Sequence, residues 1–271
     1  MPASRFPAAE VAVALGGPVT LLGAGASGDT WRYADTAVKI ICADSYPLQR
    51  LSREVNGLSS VSSPHVVRLL GTRVVTLRGQ DRPALVFEYI AGGDVAERIS
   101  AAQWPSPGEA VALLRGLLTG VRDMHAAGVV HRDIKPGNIA LRGGDWSRPV
   151  LLDLGLARGA GEATITVYPA PVGTAWYMAP EQLEGRRARK AADLFAVGVT
   201  VREVLGGRHP FYDDGASYTF ADMTARITKG HYPLPVGTPG PVADLLDRLT
   251  AVPEHQRGSA PSSLRRLGLT G

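Results

Sequence analysis

The sequence predicts an α+β chain of two lobes, and three observations carry that prediction. Through the first ninety residues, short apolar and β-branched runs alternate with turn residues, interrupted by one helical stripe. After Ala91-Gly92-Gly93 the apolar residues recur mostly at helical spacing. Strands followed by helices is the order of an architecture in which the two are segregated. The expected lobes are residues 1–90, β-rich with one main helix, and 91–271, larger and mostly helical, with a hinge near 88–93.

Val19–Leu22 and Thr30–Tyr33 read as strands, and Thr36–Ile41 follows across a tight Ala34-Asp35 turn. Residues 47–58 change period: Leu48, Leu51, Val55 and Leu58 form one helical stripe. Two further strands are expected, about Val66–Leu77, broken at Gly71, and Ala84–Tyr89. Ser106-Pro107-Gly108-Glu109 has the form of a capping box with Pro at the first helical position. The helix it opens carries Val111, Leu114, Leu118, Val121 and Met124, and a loop-rich stretch then runs from His131 to about Gln182. Helices are expected again near 191–205, 218–229 and 241–251.

Composition narrows the classes. The chain has 271 residues, 45% of them hydrophobic and 20% charged, enough apolar material for a sizeable core. No apolar run reaches the length of about 18 residues that a membrane span needs, and the N-terminal stretch fits a signal peptide poorly. The one cysteine, Cys42, follows a strand-like run and reads as a structural thiol in a reducing compartment. Net charge is +4 and is spread along the chain, without the basic stripe and aromatic platforms of a nucleic-acid surface. Of the 29 basic residues only four are lysines, and two of these, Lys39 and Lys135, fall inside the motifs below.

The strongest segment is His131-Arg132-Asp133-Ile134-Lys135-Pro136-Gly137-Asn138. Phosphoryl transfer from ATP to a hydroxyl asks a protein for positioning and charge compensation rather than covalent help. Asp133 can orient the attacking hydroxyl, Lys135 can neutralise charge on the moving group, and Asn138 offers a neutral oxygen to Mg²⁺, a hard cation. Fifteen residues on, Asp153-Leu154-Gly155 follows the apolar strand Val150-Leu151-Leu152 and supplies a second metal ligand at a strand end.

The octapeptide resembles the catalytic loop of the protein kinase superfamily, and Asp153-Leu154-Gly155 resembles its metal-binding motif. Lysine two residues after Asp133 is similar to the serine/threonine branch. Gly23-Ala24-Gly25-Ala26-Ser27-Gly28 resembles the glycine-rich loop over the phosphates: a strand follows it, not the helix of a dinucleotide fold. The resemblance then implies roles. Leu22, Gly23, Ala24, Gly25, Gly28, Thr30, Ala37 and Ala140 would line the nucleotide site, with Phe87, Glu88 and Ile90 as gatekeeper and hinge. Lys39 would hold the α- and β-phosphates and pair with Glu54 on the 47–58 helix. Asp94 would touch a ribose hydroxyl or cap a helix; the residues leave both open. His131 is expected to pack in the core rather than act as a base, and Asp193 to brace the catalytic loop.

Gly173-Thr174-Ala175-Trp176-Tyr177-Met178-Ala179-Pro180-Glu181 resembles the end of a protein-kinase activation segment. It implies a peptide-docking shelf at Gly173 and Thr174, and a pairing of Glu181 with Arg257. Thr164 and Thr166 are candidate autophosphorylation sites, their phosphate facing Arg132 and Arg158. Departures from the family pattern are Thr30, Ala140, Ser27 and Leu154, none of which removes a catalytic group.

The expectation is therefore a bilobal serine/threonine protein kinase with its site between the lobes, using ATP and Mg²⁺, with Mn²⁺ as the alternative ion. Its partners would be protein substrates, not nucleic acid or membrane, with transient self-association for autophosphorylation and the oligomeric state open. A cytoplasmic location and a bacterial origin are expected, the latter from abundant Arg, Ala, Gly and Pro beside scarce Lys. Two alternatives stay open: a nucleotide-binding scaffold without transfer activity, and a small-molecule kinase of the same fold.

Overall fold

The computed structural model describes residues 4–25, 28–42, 48–153 and 175–268, and the side chains among these except 48–51, 53 and 54. The chain forms two compact units, Met1–Ser62 with Val67–Tyr89, and Ser63–Val66 with Ile90–Gly271.

The first unit is built on a five-stranded antiparallel sheet of order β1-β2-β3-β5-β4. Its strands are β1 (Val19–Gly25), β2 (Gly28–Tyr33), β3 (Thr36–Ile41), β4 (Leu69–Leu77) and β5 (Gln80–Glu88). Helix α1 (Ala8–Leu15) precedes them and α2 (Leu48–Ser59) follows β3. Alternation along β3 puts Val38 and Ile40 on one face and Ala37 and Lys39 on the other. The first face is covered by α1: Phe6, Val11 and Leu15 pack with Trp31, Val38, Ile40, Val75, Leu77 and Ala84. Helix α1 was not anticipated. Its apolar residues are short in number and read as a poor leader, and only the exposed sheet face gives them something to bury against.

Two strands differ from expectation. The strand begun at Val66 starts at Leu69; Val66 instead bridges Leu151 in the second unit. The break expected at Gly71 is a bulge: Leu69 faces Phe87 and Gly71 faces Val86, leaving Leu70 as the extra residue. Strand β5 starts four residues before the expected Ala84, because Arg78 and Gly79 adopt positive φ (51° and 70°) and close a two-residue hairpin. Arginine gives no sign of such a turn in the sequence. A second bulge, at Leu22, falls between Leu21↔Trp31 and Gly23↔Thr30, where the glycine-rich segment begins.

The second unit is mostly helical, with α3 (Val95–Ser100), α4 (Pro107–Ala126), α5 (Pro180–Leu183), α6 (Lys190–Gly206), α7 (Phe220–Lys229), α8 (Gly240–Leu249) and α9 (Ala260–Gly268). A short hairpin, β6 (Ile139–Leu141) with β7 (Pro149–Leu151), sits among them. Ser106 and Glu109 form the expected capping box, worth about 1 kcal/mol in such settings. Helix α6 is buried on nearly all sides from Ala192 to Val204, which makes it the central post of this unit. Helix α9 was not expected; its Leu267 and Ala260 are fully buried.

Candidate functional site

The catalytic-loop residues are held by a carboxylate from the central helix. Asp193 of α6 is 1% exposed and accepts three hydrogen bonds, from the backbone N–H of His131 (2.9 Å) and Arg132 (2.7 Å) and from Nε2 of His125 (2.8 Å). Immediately after those two amides the chain turns at Arg132 with φ 69°, a conformation that costs a non-glycine residue about 1–3 kcal/mol. The paired hydrogen bonds to a buried carboxylate offset that strain, so the turn is imposed by packing rather than by a local turn residue.

His131 is fully buried, and both ring nitrogens are committed to the main chain. Nε2 donates to the Leu152 carbonyl (2.9 Å) and Nδ1 accepts from the Asp133 N–H (3.3 Å). A ring so occupied serves as a packed spacer, as expected for a residue that is not a base.

Asp133 is left partly exposed, its side chain at 33%. Its Oδ2 accepts from Lys135 Nζ (3.0 Å) and from Asn138 Nδ2 (3.0 Å), and its backbone carbonyl accepts a second bond from the same amide nitrogen (2.7 Å). With Nδ2 directed at Asp133, the Oδ1 of Asn138 is the end of that side chain suited to a cation.

The hairpin β6–β7 brings the second expected metal ligand to the same place. Ile139 faces Leu151, and the Leu152 N–H donates to the Asn138 carbonyl (2.8 Å). Asp153 therefore stands one residue beyond the backbone partner of Asn138, its own chain turned at φ 42°. The hairpin thus carries an amide oxygen and a carboxylate on neighbouring strand ends, oxygen donors of the type that suits a hard divalent cation.

Two nucleotide-site candidates in this unit also meet: Asp94 bridges Ala140, and the Leu141 N–H donates to the Gly93 carbonyl (2.9 Å). Of the two roles left open for Asp94, the cap is formed. Its carboxylate accepts from the Glu97 N–H (2.8 Å), and burial raises its pKa. Ile90 and Ala140 are both buried.

In the first unit Lys39 is 6% exposed and lies across the ladder from Thr30 and Leu85. Ala37 faces Phe87, and Thr36 faces Glu88. Gly28 faces Ile41 at the mouth of the β1–β2 hairpin, where a Cβ would collide with the Ile40 carbonyl, so only glycine fits. Glu88 pairs with Arg68 through main chain and side chain. Cys42 is half-buried and burial raises its thiol pKa, which matches an unreactive thiol. Glu54 lies on α2, its side chain outside the described residues, as are Ala26, Ser27, Leu154, Gly155, Arg158, Thr164, Thr166, Gly173 and Thr174.

Sequence reasoning missed the supports of the segment from Ala175 onward. Tyr177 donates its hydroxyl to Glu203 (2.6 Å), whose pKa burial pushes up to about 7. His209 donates from Nε2 to the Trp176 carbonyl (3.1 Å), stacks on Tyr212 at 4.7 Å, and burial lowers its pKa to about 3. Gln182 holds the Arg132 carbonyl (3.2 Å). An acidic residue ten positions after Asp193 on the same helix was the available signal for Glu203, but its partner lies 26 residues upstream.

This geometry is that of a protein kinase catalytic loop, and the chain belongs to the protein kinase domain family, which matches residues 19–266. Among its relatives are serine/threonine-protein kinase PkaB of Streptomyces coelicolor, 32% identical over 261 residues (91% of this chain, 61% of PkaB), and serine/threonine-protein kinase PknL of Mycobacterium tuberculosis, 39% identical over 155 residues (56% of this chain, 38% of PknL). A third, Probable serine/threonine-protein kinase pknA2 of Bifidobacterium longum, is 36% identical over 167 residues, 62% of this chain and 21% of that protein. The matched stretch thus spans less than two thirds of each of these bacterial relatives. Family membership carries with it the use of ATP and a divalent cation.

Proposed function

We propose that this chain transfers the γ-phosphoryl group of ATP to serine or threonine hydroxyls of proteins. The observation that carries the reading is the state of Asp133: a partly exposed carboxylate fixed by Lys135 and Asn138 on a loop pinned by Asp193. Asp133 orients the acceptor hydroxyl and takes its proton as the bond to phosphorus forms. Lys135 shifts its charge from Asp133 toward the transferred group as that group moves. Asn138 and Asp153 would hold the cation, Mg²⁺ in this reading, and the bound ion supplies charge neutralisation at the phosphates. Lys39 and Glu54 serve the α- and β-phosphates; Leu22, Gly23, Ala24, Gly25, Gly28, Thr30, Ala37, Phe87, Glu88, Ile90 and Ala140 serve the nucleotide.

Serine/threonine acceptors are favoured by the lysine two residues after Asp133 and by the names of the relatives. Thr164 and Thr166 are proposed as autophosphorylation sites facing Arg132 and Arg158, and the cytoplasm as the location. The test is transfer of label from [γ-³²P]ATP to the chain and to a generic protein substrate. Label on protein that vanishes in Asp133→Asn supports the reading. Nucleotide binding with no transfer under Mg²⁺ or Mn²⁺ would leave a scaffold, and label on a small molecule alone would leave a small-molecule kinase.

A further inference from the structure

Asp29 carries a wholly buried carboxylate in β2, one residue past the end of the glycine-rich segment. The guanidinium that neutralises it comes from ahead of the stretch that matches the family. Arg5 donates from its backbone N–H to Oδ2 (2.6 Å) and from Nη1 to Oδ1 (2.8 Å), so one residue holds both carboxylate oxygens. Arg5 is itself tied down. Its carbonyl accepts from Nη2 of Arg78 (3.0 Å) at the β4–β5 turn, and Phe6, next in the chain, joins the buried cluster of Val11, Leu15 and Trp31.

Alternation along β2 puts Asp29 and Trp31 on the face covered by α1, and Gly28 and Thr30 on the other, where Thr30 lies across from Lys39. Asp29 stands across the ladder from Ala24 and Ile40, and Gly28 from Gly25 and Ile41. Arg5 therefore grips, from behind the sheet, the position at which the glycine-rich hairpin rejoins it. A segment rich in glycine has wide backbone freedom and few side chains to hold it, so the anchoring of its ends sets its place. An end fixed before a ligand arrives leaves less ordering for binding to bring about. Without Arg5 the Asp29 charge would be buried and uncompensated, which favours opening of that strand end toward water.

We propose that Arg5 is a positioning residue for the nucleotide: through Asp29 it holds the Gly28 end of the glycine-rich hairpin in the conformation that receives ATP. This rests on the nucleotide role given to that hairpin in the kinase reading. The test joins calorimetric titration of Mg-ATP onto the full chain, steady-state kinetics, and hydrogen–deuterium exchange over residues 19–33 of the nucleotide-free protein.

Arg5→Ala should raise Kd and KM for ATP by about five- to tenfold, leave kcat within about twofold, and speed exchange over 19–33. Arg5→Lys, which keeps the charge, should restore part of the affinity. Arg5→Ala/Asp29→Asn should bind ATP more tightly than Arg5→Ala, because the neutral amide needs no cation. Leu15→Ala, which weakens α1 without touching this pair, should lower Tm yet leave Kd within about twofold. Should Arg5→Ala fail to fold, Arg5→Gln is read in its place. Parental Kd and exchange in the Arg5 variant, a double variant no tighter than the single, or an equal rise in Leu15→Ala would each overturn the proposal. If the parent transfers phosphoryl groups and the Arg5 variant matches its Kd, the positioning role fails and the kinase reading stands. If the chain binds ATP without transfer and Arg5→Ala still raises Kd, the kinase reading fails and the positioning role stands.

Discussion

Glu181 and Arg257 meet through two parallel hydrogen bonds, Nη1 to Oε1 at 2.7 Å and Nη2 to Oε2 at 2.9 Å, with both side chains wholly withdrawn from solvent. The remaining guanidinium donors go to the carbonyls of Ala251, Ala191 and Val252. A buried pair so fully satisfied is costly to break from one side, because the other charge is left without a partner. Glu181→Ala should lower the unfolding free energy by about 3–5 kcal/mol. Urea denaturation followed by circular dichroism checks this, and a loss under 1 kcal/mol would show that the pair is dispensable.

Asp133→Asn keeps the shape of the loop and removes the proton acceptor. Phosphoryl transfer should fall by about two to four orders of magnitude, while nucleotide affinity stays within a few-fold. Single-turnover kinetics and calorimetric ATP titration measure the two separately, and transfer at the parental rate would refute the role given to Asp133.

Asp193 touches no reacting group and acts through the loop it pins. Asp193→Asn replaces one charged acceptor by an amide that must present an N–H to one of three donors. Stability should drop by about 1–3 kcal/mol and kcat by at least tenfold, with KM for ATP nearly constant. A fall in stability alone, with kcat intact, would make the residue merely structural.

Two buried titratable groups near Tyr177 push stability in opposite directions with pH. Glu203, raised to about 7, stays protonated in the fold after the unfolded chain has released its proton. Its contribution is full below about pH 4.5, the ordinary value, and is lost as pH climbs to 7. His209, lowered to about 3, stays neutral in the fold while the unfolded chain takes up a proton. Its contribution is full above about 6.5 and is lost as pH falls toward 3. Over pH 4.5–6.5 the two slopes oppose each other, so stability there should be nearly flat. Glu203→Gln removes one of them, and the variant's stability should rise with pH across that window by about 2–3 kcal/mol. Thermal denaturation in a pH series reads this directly; a variant curve as flat as the parent's would contradict it.

Helix α1 lies ahead of the family match yet supplies buried residues to the sheet core. Leu15→Ala should destabilise the chain by about 2–5 kcal/mol, the cost of a cavity in a close-packed core. Val13, 84% exposed on the same helix, is the control, and Val13→Ala should change little.

The residues proposed as catalytic stand out in the sequence because such chemistry constrains type and spacing together. Asp133, Lys135 and Asn138 lie within six residues, and the contacts among them are local once the loop is formed. Strand β3 and the Ser106 cap were legible for the same reason: period and capping act within a few residues. What brings distant segments together was not legible. The left-handed turn at Arg132 needs a carboxylate 61 residues away, Glu203 finds Tyr177 across 26 residues, and α1 is a helix only because a sheet face waits for it. A chain carries its local preferences in every stretch of its own letters. Burial, and the charges that burial shifts, exist only after the fold has chosen which stretches touch.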